Sequence, residues 1–185
     1  FVKTKNINGS TGIAHTRWAT HGEPNNINAH PHYSESEDLA MIHNGIIENY
    51  DVLKEELKRV GVTFKSNTDT EVLVQLIEYI KKAEKTDLVS AVQHAISQVI
   101  GAYAIVVISK DQPDTLIAAR KGSPLVVGIG EKEFYLASDA SPIVEYTRDV
   151  VYLDDEEIAI MTPGENLDIR TIKTQKKTPF VEQLE

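Results

Sequence analysis

The sequence contains no cysteine, which removes disulfides, thiolate metal sites and a thiol nucleophile from the chemistry open to these 185 residues. Basic residues are in short supply: nineteen Lys and Arg stand against twenty-eight Asp and Glu, for a formal charge of -9. That balance repels phosphate backbones and leaves no basic stripe, so nucleic acid is not expected as a partner. No apolar run approaches the length of a membrane span and there is no signal-like apolar segment, so no membrane partner and a cytoplasmic location are expected. No G-x-S-x-G elbow is present, and Ser138-Asp139 falls where turn and capping roles suffice. Gly128-x-Gly130 lacks both a third glycine and a following helix, which makes it a hairpin turn rather than a phosphate loop. No internal repeat is evident.

What remains is ordinary globular material, 41% apolar and 25% charged. Residues 1–172 read as one domain, large enough for a two-layer core. Residues 173–185 lose periodicity and turn basic, then acidic, which reads as a frayed end or a linker toward a further domain. The chain opens at Phe1 without an initiator Met, as a piece of something longer would.

Gly12–Thr16 is predicted to be a short buried strand, followed by a polar loop to about Glu37 that Pro24 and Pro31 interrupt. Leu39–His43 and Ile46–Glu48 flank Asn44-Gly45, the strongest short hairpin signal available, because both residues tolerate positive φ. Asn49 can cap a helix over Tyr50–Val60, with Val52, Leu53, Leu57 and Val60 as its apolar stripe and Gly61 as its stop. Val62–Phe64 is predicted as a short strand. Thr68 and Glu71 form a capping box at the head of a helix to about Lys82, burying Val72, Leu73, Leu76, Ile77 and Ile80. A third helix runs from Thr86 to the stop at Gly101. The period then switches to two over Ala102–Ser109, Thr115–Arg120, Leu125–Ile129, Glu133–Ser138, Val150–Leu153 and Glu157–Met161, which predicts antiparallel hairpins. Only Ser141–Tyr146 interrupts them, with a helical turn or two. Adjacent helices followed by tightly connected strands make an α+β pattern with helices layered on sheets.

Within His15–His32 (HTRWATHGEPNNINAHPH) lie four of the six histidines, the single tryptophan and an arginine, on a stretch too rich in Pro, Asn and Gly for regular structure. A loop of that length in a compact domain tends to be functional or disordered, and the density of His, Arg and Trp argues for the first. Arg17 offers a planar fork for a carboxylate, and Asp69, in a helical first turn, offers a carboxylate for an ammonium group; together they would grip the two charged ends of an amino acid. The plainer readings are a surface ion pair for Arg17 and, for Asp69, a complement to the helix dipole worth up to about 1 kcal/mol. Asn44-Gly45, taken alone, is equally a simple turn. His15, His21, His30, His32 and His43 raise a metal site, since His30-x-His32 sets two rings on one side of an extended segment. No acid lies near His30 in sequence to complete it, so the metal reading is the weaker one. His94, on a helix, reads as structural or surface.

The run HTRWATHGEP, followed in order by NAHPH, HNGIIEN and S-x-TDTEV, resembles the glutaminase domains of the glucosamine-6-phosphate synthases, members of the class II glutamine amidotransferases. GAYAIVVI, ARKGSPLVVGIG and FYLASDASPI extend the resemblance over nearly the whole chain. Purine-synthesis amidotransferases and asparagine synthetase are the runners-up, but the Trp18–Pro24 run points to the sugar enzyme. The resemblance implies an N-terminal-nucleophile hydrolase fold, an α+β sandwich of two antiparallel sheets between helices, here incomplete at its start. It implies L-glutamine or L-glutamate as ligand, with Arg17 on the α-carboxylate and Asp69 on the α-ammonium. Trp18, Thr20 and His21 would line the pocket, His30 would ride on a loop that closes over it, and Asn44 (side-chain amide) and Gly45 (backbone N–H) would form the oxyanion hole. It brings no cofactor and no metal. With it, Asn44-Gly45 and Asp69 move from their plain readings to functional ones.

In that family an N-terminal cysteine attacks the glutamine side-chain amide, its own α-amino group serving as base, to give a glutamyl thioester and ammonia. The match to that cysteine would lie several dozen residues before Phe1, and a benzyl side chain cannot replace it. The 185 residues alone are therefore expected to lack glutaminase activity. Without the sugar isomerase domains expected to follow, which take fructose 6-phosphate, they are also expected not to make glucosamine 6-phosphate. Strands missing from the sheets would leave open edges that favour association, as in a homo-oligomer, or partial disorder. A glutamine- or glutamate-binding module without a nucleophile is the alternative from another functional class.

Overall fold

The computed structural model describes residues 9–17, 22–173 and 176–184. Two antiparallel sheets and three helices form its layers. The strands are β1 (His32–Tyr33), β2 (Leu39–Ile47), β3 (Gly101–Ser109), β4 (Gln112–Lys121), β5 (Val126–Ile129), β6 (Phe134–Ala137), β7 (Asp149–Tyr152), β8 (Glu157–Met161), β9 (Asp168–Thr171), β10 (Lys176–Lys177) and β11 (Glu182–Gln183). The helices are α1 (Tyr50–Arg59), α2 (Asp69–Glu84) and α3 (Leu88–Ser97). One sheet has the order β1-β2-β3-β4-β8-β9-β10 and the other β11-β7-β5-β6.

Period-two alternation along β3 fixes the layering. Tyr103, Ile105 and Val107 enter the core shared with Leu53, Leu73, Ile77, Val92 and Ile96 of the helices. Ala104 and Val106, between them, face Leu125, Val127 and Val151 of the second sheet. Beyond that sheet, Val126 and Val150 pack on Ile143, which the turns at 140–147 carry. Helices, large sheet and small sheet are thus stacked in that order, and among the described residues no helix is long and apolar enough to cross a membrane.

Helix α2 is the pivot. Thr68 caps it, its hydroxyl accepting from Glu71 N at 3.2 Å. Glu71 does not complete the box by reaching back to Thr68. Its carboxylate instead accepts from Lys65 N, Ser66 N and the Ser66 hydroxyl, and so holds the approach to the helix. The helix is buried on its polar side as well: Gln75 Oε1 accepts from Glu35 N at 2.9 Å, and the Glu78 carboxylate takes the Ser36 hydroxyl and N–H. Burial alone would raise the Glu78 carboxyl, but these bonds and Lys82 hold it below the usual carboxylate range. A polar stripe that would otherwise be solvated therefore staples the segment leading into β2.

Several local expectations are corrected. Gly12–Thr16 and Val62–Phe64 form no strand. In α1 only Leu53 and Leu57 are buried, while Val52 and Val60 are more than half exposed, because one stripe two residues wide suffices against α2. Asn49 does stand at the N-cap of α1 without capping it; its side chain bonds Gln98 O and Ile100 N and ties α1 to the end of α3. Gly61, at φ 95°, closes α1 with paired bonds from its own N–H to Lys58 O and from Val62 N to Leu57 O. The tail is not frayed where it is described: β10 pairs with β9, and β11 pairs with β7.

The largest correction concerns Asn44-Gly45. It is no hairpin turn: β2 runs straight through it and pairs with β3 from Leu39↔Ser109 to Ile47↔Gly101. Gly45 has φ 127°, and a Cβ there would stand 2.7 Å from the carbonyl carbon of Ala102, closer still to its oxygen. The dipeptide's conformational freedom is used within a paired strand, at a position where the Ala102 backbone leaves no room for a Cβ, not to reverse the chain.

Candidate functional site

Strand β2, the head of α2 and the loop before β1 meet at one end of the large sheet. Asp69, 4% exposed, opens α2. Its Oδ1 accepts from Thr70 N at 3.0 Å and its Oδ2 from Ile47 N at 2.9 Å, two residues beyond Gly45. The second bond is more than a response to a helix dipole, since it binds the carboxylate to the strand that carries Asn44. A carboxylate has about four lone-pair positions, so two backbone donors leave room for an ammonium group.

The histidines follow from the same convergence. Thr70, 1% exposed, holds His30 Nε2 and His43 Nδ1 at 3.1 Å each on one hydroxyl. His43 Nδ1 also lies 4.0 Å from Asp69 Oδ2. His32 Nε2 reaches the Thr68 hydroxyl at 3.0 Å. The rings of His15 and His30 lie 4.3 Å apart, and those of His30 and His32 5.1 Å. His15 Nε2 in turn meets Asn44 Oδ1 at 2.5 Å. Burial, reinforced by the neighbouring His15, His32, His43 and Arg17, lowers the His30 pKa to about 3, and burial lowers that of His32 against the pull of Glu71 and Asp69. Both rings are neutral near pH 7. Among the described residues no group of three or more His, Asp or Glu is arranged to hold a metal ion. His94 pairs at the surface with Glu84, 2.7 Å away.

Arg17 donates to Gly22 O and Glu23 O, at 3.1 and 3.3 Å, and so grips the loop. Its charge also works against protonation of His30 and His32. Asn28, 2% exposed, pins that loop by donating to Glu23 O and accepting from Asn67 N. Trp18, Thr20 and His21 lie outside the described residues. A cleft of about 660 Å³ between the sheets has His15, His43 and Asn44 at one end and Val106, Leu125 and Leu136 along its walls.

The structure therefore brings together Asn44, Gly45, His30 and Asp69, with Arg17 at the margin. Sequence reasoning gave Thr70 no role and considered His15, His32 and His43 only as metal ligands. The available signal for Thr70 was its place beside Asp69 on a helix whose first turn is buried on every side.

A family profile described as a glutamine amidotransferase domain matches residues 3–173. The chain is 63% identical over 185 residues to the glutamine–fructose-6-phosphate aminotransferase (isomerizing) of Bacteroides thetaiotaomicron, covering 100% of this chain and 30% of that protein. It is 51% identical over 180 residues to the protein of the same name from Chlorobaculum tepidum, covering 97% of this chain and 29% of the relative. The chain thus spans less than a third of the length of these relatives. Among solved structures it is similar to glutamine phosphoribosylpyrophosphate amidotransferase from B. subtilis, with TM-score 0.70 and 26% identity over 85% of this chain and 34% of that one. A structure described as the allosteric regulatory enzyme of purine biosynthesis gives TM-score 0.66 and 27% identity over 79% of this chain and 31% of that one. The α+β sandwich of two antiparallel sheets is that of the N-terminal-nucleophile hydrolases among which these neighbours fall. With the profile running over almost its whole length, the chain belongs to the glutamine amidotransferase family.

Proposed function

We propose that this chain is the glutamine-binding, glutaminase part of an enzyme that makes glucosamine 6-phosphate from fructose 6-phosphate and L-glutamine. The observation that supports the reading is the Asp69–Ile47 bond, which fastens a buried carboxylate to the strand that carries Asn44 and Gly45. In this reading Asp69 holds the substrate α-ammonium and Arg17 its α-carboxylate. Trp18, Thr20 and His21 line the pocket, and His30 covers it from the loop. Asn44 and Gly45 donate to the oxygen of the reacting amide, where two fixed donors are worth several kcal/mol as negative charge develops. The nucleophile, an N-terminal cysteine that forms a glutamyl thioester and releases ammonia, is not among these 185 residues. Alone they bind without turnover. Residues 1–172 form the glutaminase domain and 173–185 lead toward sugar isomerase domains, in a cytoplasmic protein that self-associates.

The absence of cysteine from these 185 residues is equally compatible with a second reading, a nucleophile-free glutamine- or glutamate-binding module. A reading frame that begins upstream with Met-Cys-Gly separates the two in favour of the enzyme. Calorimetric titration of the chain with L-glutamate and L-glutamine tests the pocket itself. Binding should be lost in Arg17→Ala and in Asp69→Ala, with circular dichroism as the check on folding; affinity that survives both substitutions removes the proposed grip.

A further inference from the structure

Asn44 is exposed on β2, and the oxygen of its side-chain amide meets Nε2 of the half-buried His15 ring. At 2.5 Å this contact ties the amide orientation to the tautomer: an amide oxygen can only accept, so Nε2 must carry the proton. The other ring nitrogen supports the same assignment. His15 Nδ1 is buried and has no partner among the described residues, and a buried N–H without an acceptor is rarer than an under-used acceptor. With Nδ1 bare and Nε2–H donating, the Asn44 oxygen is occupied and both N–H donors of the amide are turned away from the ring. The flipped amide would instead offer an oxygen where a developing negative charge needs a donor, so a wrong flip would repel what the site must stabilise. His30, its ring tilted by 37° against that of His15 at a centroid distance of 4.3 Å, packs on the His15 ring.

We propose that His15 is a positioning residue that locks the amide of Asn44 with its NH2 group free to donate to the oxygen of a bound amide or carboxylate. The inference rests on the reading of Asn44 as an oxyanion donor, and assigns to His15 the task of making that donor available. It needs no metal and no proton transfer, since Nε2–H donates whether or not Nδ1 is protonated.

Nitrogen-15 labelling of the 185-residue chain tests it directly. Long-range proton–nitrogen correlations should place the His15 proton on Nε2, and the Asn44 NH2 signals should shift when L-glutamate is added. His15→Phe keeps a ring but no donor and should weaken L-glutamate binding by about tenfold, the loss of one hydrogen bond. His15→Gln, which can return an amide N–H, should recover most of it. In an Asn44→Ala background His15→Phe should change nothing further, an outcome that a general packing role would not give. A proton on Nδ1, or equal weakening in both backgrounds, overturns the proposal. If the unsubstituted chain binds no L-glutamate, the pocket reading fails, while the His15 tautomer and the Asn44 signals still decide the pairing.

Discussion

Asp69 Oδ2 accepts a hydrogen bond from Ile47 N at 2.9 Å, so the carboxylate that opens α2 is fastened to the strand that displays Asn44 and Gly45. The contact joins positions twenty-two apart in sequence and is buried. It explains why the acid is 4% exposed at a place where a dipole-complementing acid would be solvated.

Replacing Asp69 should therefore separate two effects. Asp69→Ala leaves the Ile47 and Thr70 N–H groups without their acceptor and should cost about 1–3 kcal/mol in urea unfolding. Asp69→Asn keeps an amide oxygen for one of them and should be milder. Both remove the negative charge, so both should abolish L-glutamate binding measured by calorimetry. Affinity retained in Asp69→Asn would show that the charge has no part in it.

Gly45 cannot accept a side chain. Its φ is 127°, and the Ala102 backbone occupies the place of a Cβ. Gly45→Ala should lose at least about 2 kcal/mol of stability through strain and displacement of β3. Gly61→Ala, at φ 95° but with open space around it, should suffer the conformational part alone. Denaturant midpoints for the two variants would expose an equal loss, which would contradict the close approach of β2 and β3.

Thr70 carries its hydroxyl, not its methyl group, into the site. Thr70→Val leaves His30 Nε2 and His43 Nδ1 facing an apolar group and should destabilise the fold by about 1–3 kcal/mol, while Thr70→Ser should restore most of that. Imidazole nitrogen shifts of His30 and His43 should move in the valine variant and return in the serine variant. Unchanged shifts in Thr70→Val would deny the shared hydroxyl.

Stability should fall on mild acidification, with a sign set by His30. Its folded pKa is about 3 against an ordinary 6.5, so between those values the unfolded chain binds a proton that the folded chain refuses. Stability consequently rises with pH across that window and declines as pH drops below about 6.5. His32 is shifted in the same direction. Urea midpoints at pH 7 and pH 5, above the range where carboxylates begin to titrate, should differ less in His30→Phe than in the unsubstituted chain. An identical difference would mean that His30 takes up its proton in the folded state.

Much of this architecture is local and could be read residue by residue. Thr68 caps α2, Leu88 to Ile96 bury α3, and the alternation in GAYAIVVIS sorts β3 between two cores, because capping and period are properties of neighbours in sequence. Asn44-Gly45 was legible as special and misread in kind. A dipeptide advertises the freedom to take positive φ, whereas pairing along the whole of β2 with β3 decides whether that freedom makes a turn or a glycine position inside a strand. Val52 and Val60 show the same limit, since helical spacing marks a stripe but the width of the partner surface decides how much of it is buried.

The sequence by itself determined the α+β class, the presence of three helices and the chemistry on offer: a carboxylate in a helical first turn, an amide beside a glycine, a fork on a loop, and no cysteine, whereas α3 ends at Ser97 and Gly101 opens β3 instead of stopping the helix. Only the tertiary structure decided which of these groups meet. Hydrogen bonds between Asp69 and Ile47, between Thr70 and both His30 and His43, and between His15 and Asn44 join residues remote along the chain, and their geometry is set by how the sheet stacks on α2. The order of residues carries periodicity and propensity, but the distance between separated side chains is a property of packing.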